Sequence, residues 1–288
     1  MNRKSHITLV NGVETSALTI ADRGLAYGDG LFETMRVVSG KIPLFKFHLE
    51  RFERGVNCLQ LGSPKVLKRN FTKAVEQVLK ELADSCLLDK ALIKVMVTRG
   101  CGGIGYLPPD RAECTFVCQA FNLPEYPSEY SNKGIQVKMI QHRLASHATL
   151  AGIKHLNRLD QVLASQELAG EQEGLVFDQN ECLIEGIKSN ILLFEGRKIL
   201  TPPLDDCGVQ GTLRQYLIEH SKDLGVEIKV EKITKDRLKE IDGLSMINSV
   251  FGLWPILTVR DTEGGHQKFE RHNQCKAIQQ FLSKQLGF

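Results

Sequence analysis

Residues 173–194 read EGLVFDQNECLIEGIKSNILLF, and three runs of strand length stand out in them: EGLVFD, CLIEG and NILLF. The turn Asp178-Gln179-Asn180, and Glu195-Gly196 after the third run, are too short to hold a crossover helix, so they predict hairpins. Around this centre the pattern keeps alternating. IQVKMI (135–140), VEIKV (226–230) and LSMINSV (244–250) read as further strands, and HLNRLDQVLASQEL (155–168), the segment after Gly211 and residues 270–285 read as helices. A mixed sheet or barrel with helices is the expected product.

The earlier half has the same α/β character. ITLVNGVETSALTI (7–20) centres on Asn11-Gly12, a dipeptide that tolerates positive φ, and predicts an N-terminal hairpin. LFETMRVVSGKIPLF is strand-like, KFHLERFERGVNCLQLG has helical spacing at Phe47, Phe52, Val56 and Leu59, and residues 66–84 predict a second helix. ALIKVMVTRG and ECTFVCQAF are β-rich runs flanking a Gly/Pro loop. The expectation is a two-domain, mixed α/β (α+β) chain: residues 1–121, a Pro-containing linker at 122–134, and 135–288. Two such domains offer a cleft for a ligand.

Composition narrows the function. The 288 residues are 42% hydrophobic and 25% charged, with a net charge of +3 and no clustering of basic residues. Neither a nucleic-acid nor a membrane partner is indicated, and a small molecule is the default. The start MNRKSHITLVNG lacks the apolar core of a signal peptide, which predicts a cytoplasmic protein. The cysteines at 58, 86, 101, 114, 118, 182, 207 and 275 form no Cys-x-x-Cys pair, so buried free thiols and no metal are expected.

Two motifs compete for attention. Gly100, Gly102 and Gly105 satisfy the spacing of a dinucleotide-binding turn, but Tyr106-Leu107-Pro108-Pro109 follows and leaves no room for the helix that would hold pyrophosphate. A flexible substrate loop is the better reading. Lys154, in AGIKHLNRLDQ (151–161), follows a small apolar run and precedes a predicted helix. Held in a partly apolar cleft, a lysine there can form an imine and shuttle a proton, whereas alone it would be an ordinary solvated surface residue.

The segments DRGLAYGDGLFET (22–34), HLERF (48–52), AGIKHLNRLDQ, LIEGIKSNILLF (183–194) and GVQGTLRQ (208–215) occur in an order that resembles the fold type IV pyridoxal-phosphate enzymes. That group includes branched-chain and D-amino acid aminotransferases and aminodeoxychorismate lyases, and AGIKHLNRL with INSVFGLWPI (247–256) is similar to the lyase branch. The resemblance implies a D-amino acid aminotransferase-like fold, pyridoxal 5′-phosphate at the domain interface, and a homodimer. It also implies conversion of 4-amino-4-deoxychorismate to 4-aminobenzoate and pyruvate in folate biosynthesis. The alternative is an aminotransferase of branched-chain or D-amino acids.

By the same resemblance Lys154 is the Schiff-base lysine, and Glu185 lies against the pyridine nitrogen, where a carboxylate keeps the ring protonated. Asn190 braces the site. Arg51, the helix start Gly211-Thr212-Leu213, and the pair Ser249 and Val250 bind the phosphate. The plainer reading of Arg51 is a surface ion pair with Glu50 or Glu53. Arg99 is expected either to face a substrate carboxylate or to form a structural ion pair. Thr34 and Arg36 lie on a strand near the cofactor in related enzymes. Phe32 stands where some D-amino acid transaminases carry a tyrosine, which removes a hydroxyl used there for carboxylate binding.

Overall fold

A computed structural model describes residues 6–85 and 91–288, so Cys86 lies outside the described residues. The chain divides into two compact units, residues 1–124 with 153–157, and residues 125–152 with 158–288.

The first unit opens with β1 (Ile7–Val10) and β2 (Val13–Glu14), joined through Asn11 at φ 50° and Gly12 at φ 81°, the hairpin expected there. A short helix α1 (Arg23–Tyr27) leads into β3 (Gly30–Arg36). The helices α2 (Phe45–Leu59) and α3 (Pro64–Asp84) follow, and then β4 (Ala91–Thr98) and β5 (Thr115–Asn122). The five strands form an antiparallel sheet in the order β2-β1-β5-β4-β3. Apolar residues recur at helical spacing on α2 and α3 because one face of each is buried. Phe52 and Phe71 meet with ring centroids 4.6 Å apart. On β3 the buried register is Leu31, Glu33, Met35, so a carboxylate sits among core residues.

The second unit starts with α4 (Ser128–Asn132), β6 (Ile135–Leu144) and α5 (Leu159–Gln166). Then come β7 (Glu173–Asp178), β8 (Cys182–Gly186), β9 (Asn190–Glu195), β10 (Lys198–Thr201) and α6 (Thr212–Glu219). β11 (Glu227–Val230), β12 (Ile233–Thr234), β13 (Gly243–Asn248), β14 (Gly252–Arg260), β15 (His266–Lys268) and α7 (Asn273–Leu286) complete it. Its ten strands form one sheet in the order β11-β10-β9-β13-β14-β6-β7-β8-β12, with β15 beside β14. The pairs β10–β11, β6–β14 and β6–β7 are parallel and the remainder antiparallel, which is the mixed sheet the short turns predict. Trp254, the chain's only tryptophan, stacks on Phe251 at 3.7 Å, with Tyr130 of α4 edge-on at 5.2 Å.

Three expectations change. Residues 122–134 are not an open linker, since α4 folds inside them and packs on Trp254. The helix after Lys154 starts at Leu159, not at His155. Residues 153–157, placed in the second domain by sequence, group with the first unit because they pair with β3: the Phe32 amide donates to Lys154 O at 2.9 Å, and the Leu156 amide to Gly30 O at 3.0 Å. Of the seven described cysteines, all free, Cys118, Cys207 and Cys275 are buried, and desolvation pushes each of these three thiols up to about 12. Cys101 is exposed.

Candidate active site

In the first unit Lys154 is carried alongside β3, and its Nζ lies 4.4 Å from the centroid of the Phe32 ring. An aromatic face attracts an ammonium but offers no hydrogen-bonding hydroxyl to the amine. The Lys94 amine sits over the same ring at 5.5 Å, and burial lowers its pKa.

Arg51 is not on the surface. It is 5% exposed, and its Nε and Nη2 donate to Glu33 Oε1 at 2.8 Å and Glu33 Oε2 at 2.5 Å. That geometry departs from the plainer reading of a surface ion pair with Glu50 or Glu53. His48, one turn earlier on the same face of α2, has Nδ1 2.6 Å from Glu33 Oε2. Burial pushes the Glu33 carboxyl up, but the Arg51 charge and the hydrogen bonds from Arg51 and His48 outweigh it and bring the group down to about 2. Burial lowers His48, against the pull of Glu33, and facing an ionised carboxylate its Nδ1 is the donor.

Arg99 is buried and each of its three guanidinium nitrogens donates inside the first unit. Its Nε donates to Asp29 Oδ2 at 2.7 Å, Nη1 to Gln60 O at 3.0 Å and Nη2 to Leu59 O at 2.7 Å. The last two are carbonyls at the C-terminus of α2, where a cation is favoured. Of the two readings offered by sequence, the observed geometry is the structural ion pair. Asp29 Oδ2 also accepts from Arg23 Nε at 3.0 Å, and Arg23 reaches on to the carbonyls of Gly102, Gly105 and Tyr106. The glycine-rich loop is therefore tethered through its backbone instead of hanging free. No helix follows it, as the proline pair requires. Gly100, at φ 79°, has Glu113 O only 2.0 Å from where a Cβ would lie.

In the second unit Glu185 is next to last on β8, is 4% exposed, and accepts the Val209 amide on Oε2 at 2.8 Å. Asn190 starts β9 and donates from Nδ2 to Val209 O at 2.9 Å. One residue, Val209, thus fixes both side chains. The turn between β8 and β9 hangs on Glu173, which is fully buried and accepts the Ile187 amide at 2.8 Å. Gly152 pairs with the same segment, donating to Gly208 O and accepting from the Gln210 amide.

Gly211 caps α6, and Thr212 and Leu213 supply first-turn amides that find no acceptor inside the helix. The Thr212 hydroxyl is buried and has no hydrogen-bond partner among the described residues. An unsatisfied donor and free amides at a helix start fit an anionic group such as a phosphate. Val250 differs from the simple reading. Its amide, with that of Phe251, donates to Asn248 Oδ1 at 2.9 Å, so Asn248 shapes this turn.

Sequence reasoning missed Glu33, His48, Arg23, Asp29 and Asn248. Glu33 left a trace, since it occupies the inward register between Leu31 and Met35, opposite a helix face bearing His48 and Arg51.

Residues 30–259 match the family described as amino-transferase class IV. The chain is 30% identical to an aminodeoxychorismate lyase of Vibrio harveyi over 86% of its own length and 89% of the relative's. It is 28% identical to a putative branched-chain-amino-acid aminotransferase of Methanocaldococcus jannaschii, over 84% of this chain and 82% of that one. Among solved structures, the 4-amino-4-deoxychorismate lyase of Pseudomonas aeruginosa superimposes with a TM-score of 0.88 at 34% identity, covering 98% of this chain and 100% of that one.

Proposed function

The chain belongs to the class IV aminotransferase family, and from that premise we propose that it is a pyridoxal 5′-phosphate-dependent lyase converting 4-amino-4-deoxychorismate into 4-aminobenzoate and pyruvate. The observation that carries this reading within the family is the Phe32 ring over the Lys154 amine at 4.4 Å. Some D-amino acid transaminases place a tyrosine hydroxyl for the substrate carboxylate at this position, and here an apolar ring takes its place. The Vibrio and Pseudomonas relatives bear the lyase name, which supports the same choice.

Lys154 would hold the cofactor through its amine and would serve as the base that takes and returns the proton at ring carbon 4 of the substrate. The bound cofactor supplies an electron sink for the charge left by that removal. Glu185, held by the Val209 amide, keeps the proton on the pyridine nitrogen. Arg51, the Thr212 hydroxyl, the amides of Gly211, Thr212 and Leu213, and Ser249 with Val250, whose amide is shared with Asn248, would take the phosphate. Asn190 braces Val209 from the other side. Phe32 would present an apolar face to the amine. Loss of the enolpyruvyl group leaves an aromatic ring, so the chain's remaining task is to orient the leaving group and deliver a proton.

A homodimer in the cytoplasm completes the proposal, and no helix among the described residues is long and apolar enough to cross a membrane. The deciding measurement mixes the holoenzyme with 4-amino-4-deoxychorismate and, separately, with branched-chain or D-amino acids alone. Release of 4-aminobenzoate and pyruvate, with no pyridoxamine 5′-phosphate from the amino acids, is the expected result. Stoichiometric pyridoxamine formation without 4-aminobenzoate makes the chain an aminotransferase.

A further inference from the structure

Glu33 is 1% exposed and lies on β3 between Leu31 and Met35, which face the core. A carboxylate there is costly unless its oxygens are engaged, and a whole buried ion pair can commonly be replaced by apolar residues of similar volume at no loss of stability. What the carboxylate provides is geometry. Both of its oxygens receive the Nε–Nη2 edge of Arg51, at 2.8 and 2.5 Å, and the Oε2 atom also receives His48 at 2.6 Å. A bidentate grip on one edge of a guanidinium fixes its plane as a single hydrogen bond does not. His48 and Arg51 stand three residues apart on α2, so one helix face presents both to the same carboxylate.

We propose that Glu33, itself held by His48, is a positioning residue that fixes the guanidinium plane of Arg51 for the cofactor phosphate. The inference rests on the reading of Arg51 as a phosphate ligand. Glu33 touches neither cofactor nor substrate in this role and acts through Arg51 alone. Its ionised state follows from its partners, and His48 supports it through the 2.6 Å contact to Oε2.

The experiment measures dissociation constants of pyridoxal 5′-phosphate and of phosphate-free pyridoxal for the full-length apoprotein. The signal is the fluorescence of Trp254, the single tryptophan. Glu33→Gln is expected to weaken pyridoxal 5′-phosphate by about tenfold or more, the usual scale for losing an outer partner of a ligating side chain, and to leave pyridoxal unchanged. On an Arg51→Ala background the same substitution is expected to cost nothing further. Equal losses for both ligands, or a loss that persists without Arg51, would overturn the proposal. So would an unchanged phosphate preference in Glu33→Gln when Arg51→Ala abolishes that preference. If Arg51→Ala itself leaves the preference intact, the phosphate-ligand reading fails and the proposal with it. Should Glu33→Gln not fold, His48→Gln tests the same chain of contacts, with a smaller loss expected that again vanishes on the Arg51→Ala background.

Discussion

A methyl group on Gly211 would stand 1.9 Å from the Oδ1 atom of Asn190, so any side chain at residue 211 must displace the Asn190 amide. Gly211 has φ −63°, which any residue adopts, and the constraint is therefore one of space. Gly211→Ala should push Asn190 off Val209 and shift the first-turn amides. We expect a loss of pyridoxal 5′-phosphate affinity of about tenfold or more, with pyridoxal affected less, in equilibrium titration. Full retention of the phosphate preference would remove this helix start from the cofactor site.

Lys154→Ala should abolish turnover, since it removes both the covalent partner of the cofactor and the proton carrier. Borohydride treatment followed by peptide mass analysis is expected to label the segment containing Lys154 in the parent protein and no lysine in the variant. A label on another lysine would relocate the chemistry.

Glu185→Gln should leave a folded protein that binds the cofactor, because a side-chain amide oxygen can still accept the Val209 amide. Without the negative charge the ring nitrogen loses its proton. A fall in kcat of about two to four powers of ten corresponds to roughly 3 to 5 kcal/mol of transition-state stabilisation. Steady-state formation of 4-aminobenzoate at the parent rate would show that Glu185 is not the ring's partner.

The Glu33 carboxyl titrates at about 2 in the folded chain against an ordinary 4.5. A carboxyl depressed on folding stabilises the protein above its ordinary value, and that contribution is lost as pH falls from about 4.5 towards 2. Its full size is roughly 3 kcal/mol. Acid unfolding followed by circular dichroism should therefore flatten in this window for Glu33→Gln relative to the parent. Parallel acid curves for the two would show that the buried pair carries no such linkage.

Arg99→Met breaks a buried network that includes Asp29, Leu59 and Gln60, and is expected to cost about 3 to 5 kcal/mol of stability in denaturant unfolding. If Arg99 instead served the substrate carboxylate directly, KM would rise steeply with the unfolding midpoint unchanged. The two measurements on one variant separate the roles.

Much of the fold was legible because its signals are local. The Asn11-Gly12 hairpin, the apolar spacing of α2 and α3, and the short turns between β7, β8, β9 and β10 each depend on residues within a few positions. The failures depend on distant partners. Ser128–Asn132 has no helical apolar period of its own, and α4 forms against Trp254, far along the chain. Residues 153–157 join the first unit through hydrogen bonds to Gly30 and Phe32, a pairing that no window of sequence contains. The partners of Arg51 and Arg99 were invisible for the same reason: a charged residue shows its type in the sequence and its counter-ion only in space. Family resemblance named Lys154, Glu185 and the α6 start, but not Glu33 or Asn248, which act on those residues' neighbours.

The arginine at position 23 grips the loop after β4 by carbonyl oxygens alone, at Gly102, Gly105 and Tyr106. Carbonyls are common to all residues, so this anchor is indifferent to what the loop's side chains are. Ile104, Tyr106 and Leu107 point outward and are largely exposed. Tyr106 still meets the Tyr27 ring at 5.5 Å, so Ile104 and Leu107 are the two whose identities bear least on the loop's path. Substitution at the exposed positions of this segment can therefore be explored one residue at a time while the Arg23 anchor that holds the loop stays in place.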